Sequence, residues 1–201
     1  MKYYIFLSFL LQAAILLVSI LNLFSTRAWL VHTKLIFLTQ FPLLLHFISI
    51  FQSLFTLFFI WIFYKLKEQQ ISRIASIISL PFIAFEFYYS YLLIFDIETY
   101  FGMHMAKWTD RYANSEILEI QKYYDCCGFY GFYEFPSQKC QSQSGVPCVY
   151  ALIKAFTKSM RGLGVLYFSY GFSHLLADFL FIISYDPEDD PYAIMKSKMN
   201  Q

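Results

Sequence analysis

Four stretches of this chain are longer and more apolar than the elements of a soluble core: Tyr3 to Phe24, Phe41 to Tyr64, Ile74 to Phe95 and Gly162 to Ser184. About 20 mostly apolar residues suffice to cross the hydrocarbon of a bilayer as a helix. The third stretch carries Glu86 and the fourth carries His174 and Asp178, but their neighbours are Phe, Leu, Ile and Tyr, so both still read as spans. Charge agrees. Only 14% of the residues are Asp, Glu, Lys or Arg, against about 25% in soluble domains.

The first stretch has a signal-peptide alternative, with Lys2 as its basic start. Its apolar run exceeds the usual signal core of about 7–15 residues, and no Ala-x-Ala site follows. It is therefore read as a retained span. The chain then divides into a short cytoplasmic N-terminus (1–2), spans at 3–24, 41–64, 74–95 and 162–184, a small extracellular loop (25–40), a basic cytoplasmic loop (65–73), a large extracellular loop (96–161) and a cytoplasmic tail (185–201).

Charge favours this orientation mildly. The N-terminus, middle loop and tail hold six Lys or Arg, the first loop two and the large loop seven. The positive-inside rule applies mainly to short loops, so the large loop weighs little, although Lys158 and Arg161 beside the fourth span oppose the assignment. Cysteine usage is the stronger witness. All four cysteines, Cys126, Cys127, Cys140 and Cys148, fall in the large loop. An even number in one loop suits disulfides, which persist in oxidising compartments.

Four cysteines allow three pairings. Cys126 and Cys127 are adjacent and bond to each other only with strain, so each is expected to reach a different partner among Cys140 and Cys148. Gly128 suits a chain leaving a helix through a left-handed residue. Before the pair, Asn114 reads as an N-cap, with Ile117, Ile120 and Tyr124 on one helical face. After it, Val149, Leu152, Ile153, Phe156 and Met160 form an apolar stripe expected to run straight into the fourth span. The stretch from Ile97 to Tyr112 is expected to continue the third span upward.

This arrangement resembles the tetraspanin family. The resemblance rests on four spans, a small first loop, and a large second loop holding Ile120-Gln121, then Tyr124-Asp125-Cys126-Cys127-Gly128, then Pro136 before Cys140, and Cys148 shortly before the last span. Asn22 in the first span and Glu86 in the third also match polar positions of that family. The resemblance covers nearly the whole chain and implies the pairings Cys126–Cys148 and Cys127–Cys140. It further implies an all-α fold, a four-transmembrane-helix bundle with a small disulfide-bonded helical extracellular domain between the third and fourth spans. The chain departs from the family in three ways: spans one to three contain no glycine, no cysteine lies beside the inner membrane face for acylation, and only 19 residues separate Gly128 from Cys148.

Several features are candidates for function. Phe129, Tyr130, Phe132, Tyr133 and Phe135 crowd the segment after Gly128. They read either as a partner-binding patch, since aromatics dominate interface hot spots, or as the core of a module short of apolar material. The resemblance places partner recognition in this region and favours binding. In the tail, Tyr192-Ala193-Ile194-Met195 has the form of a sorting signal, read by an adaptor through Tyr192 and Met195 as an extended strand. Asn22, Glu86 and Asp178 are polar groups at membrane depth, where such groups are costly and often functional. The favoured reading is hydrogen bonding between helices.

The cysteine gaps of none, twelve and seven residues do not fit a structural zinc site. No Cys-x-x-Cys, phosphate loop, catalytic constellation or Asn-x-Ser/Thr sequon occurs. No cofactor or metal is called for, nor any enzymatic activity. The expectation is a membrane scaffold that organises or traffics other integral membrane proteins. Its further contacts are lipid or sterol between the helices, a second copy of the chain, and a sorting adaptor at the tail, with no nucleic acid. Its expected location is the plasma membrane and the endosomal or lysosomal membrane. The alternative is a small transporter or ion-conducting protein using Glu86 and Asp178.

Overall fold

The computed structural model describes residues 2–37, 40–66, 69–103, 115–130 and 145–184. Among these residues the chain is helix and turn, with no strand. Helix α1 spans Lys2–His32, α2 Phe41–Leu66, α3 Gln69–Phe95, α4 Ile97–Gly102, α5 Ser115–Tyr124 and α6 Cys148–Ile183, with a 3-10 turn at Leu35–Phe37. Helices α1, α2, α3 and α6 are long and apolar enough to cross a membrane. The fold is therefore the expected one, all-α with four membrane-length helices and a disulfide-bonded helical module between the third and the fourth. The chain is a multi-pass membrane protein.

Helix α1 runs on to His32, past the expected end of its span at Phe24. Nothing in Arg27-Ala28-Trp29-Leu30-Val31 stops a helix, and the extension is anchored because Leu30 is buried and Trp29 meets Phe156 edge-on at 5.8 Å. At 36 residues, α6 is about 54 Å long at 1.5 Å per residue. It thus exceeds what a bilayer requires, and its first turns belong to the module. Pro42 opens α2, where its missing N–H costs nothing. Pro81 lies inside α3, where it removes one backbone hydrogen bond. Helix α3 does not continue smoothly upward. Asp96 leaves helical geometry and caps α4, its Oδ1 accepting from Thr99 N at 3.2 Å.

The residues group into two compact units. The first comprises Met1–Leu23, Leu45–Phe87 and Phe168–Gln201, and the second Phe24–Leu44 and Tyr88–Tyr167. Their interiors differ in kind. The second unit is packed mainly by apolar side chains, among them Leu30, Leu35, Leu93, Tyr100, Phe101, Leu152 and Met160, all fully buried. In the first unit the buried faces are largely polar. Along α1, Ile5, Ser8, Gln12, Ile15 and Ser19 are all buried and recur at alternating steps of three and four, the period of a helix packed on its neighbours. Lipid supplies no hydrophobic force between helices, so close packing and hydrogen bonds carry their association.

Candidate functional site

Two constellations stand out, one in each unit. The first is built on Cys126-Cys127-Gly128 in the second unit. Helix α5 stops at Tyr124 because Asp125 turns left-handed, with φ 47°. Cys126 N then donates back to Gln121 O at 3.0 Å, closing the helix end as a Schellman turn does. The sequence pointed to Gly128 for this role. In the structure Asp125 ends the helix, and Gly128, with φ 64°, makes the next turn.

That second turn lays the backbone against the start of α6. Cys127 N donates to Val146 O at 2.9 Å, Cys148 N to Gly128 O at 3.0 Å and Val149 N to Phe129 O at 3.0 Å. The first N–H groups of a helix have no partner within it, and here the carbonyls of Gly128 and Phe129 supply two. The Cys126–Cys148 disulfide locks the same junction. Cys127 is also disulfide-bonded; Cys140, its partner under the family resemblance, lies outside the described residues.

Of the five aromatics, Phe129 is fully buried while Tyr130 is 40% exposed, its hydroxyl so close to Gly102 that a Cβ added there would lie 2.8 Å from the oxygen. Phe129 therefore serves the core, worth about 1.5–3 kcal/mol by burial. Phe132, Tyr133 and Phe135 lie outside the described residues, as do Tyr192, Met195 and the N-cap residue Asn114.

The module is also tied to the small loop that follows α1. Tyr124 Oη donates to Thr33 O at 2.5 Å, and Lys34 Nζ lies 3.1 Å from Glu119 Oε2. The ion pair is exposed and contributes little. Tyr124 also meets Phe156 edge-on at 5.4 Å.

The second constellation is the polar interior of the first unit. Glu86 on α3 accepts from the Ser49 hydroxyl on α2. His174 Nδ1 on α6 pairs with Gln12 Oε1 on α1 at 3.1 Å, and His174 Nε2 lies 3.9 Å from Glu86 Oε1. One layer thus draws a side chain from each of the four long helices. Elsewhere in the unit, Asp178 on α6 accepts from the Ser79 hydroxyl on α3, and Ser8 Oγ donates to Ala177 O at 2.9 Å. Asn22, which the sequence grouped with Glu86, instead donates to Tyr170 Oη at 3.1 Å and to Val18 O at 3.0 Å.

Glu86 and Asp178 stand out in the sequence as charges within apolar helices, whereas Ser49, Ser79, Gln12 and Gln52 do not. Their signal was periodicity. Ser49, Ser53 and Thr56 on α2, and Ser72, Ser76 and Ser79 on α3, recur at steps of three or four within otherwise apolar helices. Among the described residues no group of three or more His, Cys, Asp and Glu side chains is arranged to hold a metal ion.

No family model, no curated protein and no solved structure matches this chain.

Proposed function

We propose that this chain is a tetraspanin-like membrane scaffold, which acts by association rather than catalysis and organises or traffics other integral membrane proteins. The observation that carries the reading is the clasp between Cys126-Cys127-Gly128 and the start of α6. A disulfide and three backbone hydrogen bonds fix the point from which the chain departs into the aromatic segment. A segment held at a rigid base loses less freedom on binding, which favours recognition. Phe129 is the buried root of that segment, and Tyr130 begins its accessible part.

In this reading the segment Tyr130 to Phe135 contacts partner proteins and the outward helix faces contact further membrane proteins, lipid or sterol, or a second copy of the chain. The tail around Tyr192 and Met195 engages a sorting adaptor, which distributes the protein between the plasma membrane and endosomal or lysosomal membranes. The pairing of Glu86 with Ser49 and of Asp178 with Ser79 supports a structural use of the buried carboxyls, the use a scaffold requires.

The test is a quadruple variant, Tyr130→Ser, Phe132→Ser, Tyr133→Ser and Phe135→Ser, with Phe129 kept because it is buried. Proximity labelling at the cell surface identifies the partners of the parent chain. The variant should lose them while keeping its disulfides and unfolding temperature. Partners retained by a folded variant would overturn the proposal.

A further inference from the structure

We propose that the polar interior of the first unit binds internal water along its length, at the unpartnered groups of Gln12, Gln52, Thr56, Glu86, His174 and Asp178. These residues come from all four long helices and are more than nine-tenths buried. Each has a polar atom that makes no hydrogen bond to protein among the described residues: Gln12 Nε2, both ends of the Gln52 amide, Thr56 Oγ1, Glu86 Oε2, His174 Nε2 and Asp178 Oδ1. At membrane depth neither lipid nor bulk water can meet them, and polar groups left so are strongly unfavourable. Buried polar groups nearly always have a partner, ordered water included.

The chemical class of the occupant follows from the kinds of atom. Gln12 Nε2 and Gln52 Nε2 only donate, Gln52 Oε1 only accepts, and the Thr56 hydroxyl does both. A cation would satisfy the oxygens and be repelled by the amide N–H groups. An anion would meet the amides and be repelled by the carboxyls. Water donates and accepts, and so matches the mixture.

Two placements agree. With His174 Nδ1 donating to Gln12 Oε1, the neutral ring presents Nε2 as an acceptor 3.9 Å from Glu86 Oε1, too far for a direct hydrogen bond and a separation at which one water can serve both. Gln52 lies one helical turn from Ser49, which already holds Glu86, so its amide shares that side of α2. The same unit contains an apolar cluster of Ile5, Ile60, Phe63, Ala75 and Phe181. It draws on residues near the ends of all four long helices, so apolar packing adjoins the polar interior, and the proposal is of structural water.

The full chain in phosphatidylcholine nanodiscs provides the test, with isotopically heavy water as the probe. Infrared difference spectra between ordinary and oxygen-18 water should show bound O–H bands that shift with the isotope, and Thr56→Val should weaken or remove them. The same Thr56→Val should lower the unfolding temperature and Thr56→Ser should restore it. Absence of isotope-sensitive bands in the parent overturns the proposal whether or not a variant folds. A Thr56→Val variant more stable than the parent would reveal a dry site and also overturn it. Stabilisation that appears only with added sodium would assign the site to a cation instead.

Discussion

Ser79 on α3 donates its hydroxyl to the carboxyl of Asp178 on α6, joining residues 99 apart in sequence. Hydrogen bonds between helices in membranes average about 0.6 kcal/mol and reach about 1.7 kcal/mol. Ser79→Ala should therefore destabilise the protein by about 1 kcal/mol, because it also strips the carboxyl of its donor. Asp178→Asn, which still accepts a hydrogen bond, should cost less. A double-mutant cycle on Ser79→Ala and Asp178→Ala, read from unfolding in nanodiscs, should return a coupling of about 0.6 kcal/mol. Zero coupling would remove this tie.

The clasp makes a different prediction. The Cys126–Cys148 bridge closes a loop with a sequence separation of 22, and a loop of that size is worth about 3 kcal/mol when its cross-link is lost. Cys126→Ser should therefore loosen the module. The loss should appear first in faster hydrogen exchange at the Cys148 and Val149 amides, which bond to Gly128 and Phe129. Exchange unchanged from the parent would mean that the backbone hydrogen bonds hold the junction alone.

Two neighbouring glycines on α6 should respond oppositely. A methyl group at Gly164 would lie 2.7 Å from Ile94 Cγ1, 3.0 Å from Leu93 Cβ and 3.2 Å from Ser90 O, whereas one at Gly162 meets nothing within 4 Å. The close approach also brings Ser90 Oγ to Gly164 O at 2.8 Å. Gly164→Ala should cost about 1–3 kcal/mol through overpacking. Gly162→Ala should be neutral or stabilise by about 0.5–1 kcal/mol, as alanine does in a helix. Thermal unfolding of the two variants side by side checks both signs.

Tyr124 yields a prediction with pH. Burial first, and then the neighbouring Tyr123, raise its phenol above the usual value near 10. A raised folded-state value means that the contribution is fully present below the unfolded value and is lost as pH rises through the folded one. The Tyr124 to Thr33 hydrogen bond should therefore survive at pH 10, where exposed tyrosines titrate. In an ultraviolet titration, Tyr124→Phe should remove one late-titrating phenol and leave the early ones unchanged. It should also lower stability by about 1 kcal/mol. A difference confined to the early phase would place Tyr124 in solvent.

Much of the fold was legible because its determinants are local. An apolar run long enough to cross a bilayer is visible residue by residue, and the stripe from Val149 to Met160 announced the start of α6 well before its span. The left-handed turn was legible only in part. Glycine at 128 pointed to one, but Asp125 also adopts it, since aspartate is among the few residues besides glycine that visit this region. The fate of Phe129 was not legible. Five aromatics in a short segment look alike in sequence, and only the fold of the chain over α6 separates the buried Phe129 from the half-exposed Tyr130.

The polar interior shows the boundary most clearly. That Glu86, His174 and Asp178 lie within membrane-length helices, and that serines recur on the same helical faces, can be read from the residues alone. Those properties depend on composition and on the 3.6-residue turn. Which groups meet was decided by tertiary structure. Glu86 pairs with Ser49, Asp178 with Ser79, and Asn22 with Tyr170. The choice depends on each helix's rotation and height against its neighbours, and side chains from distant segments set both together.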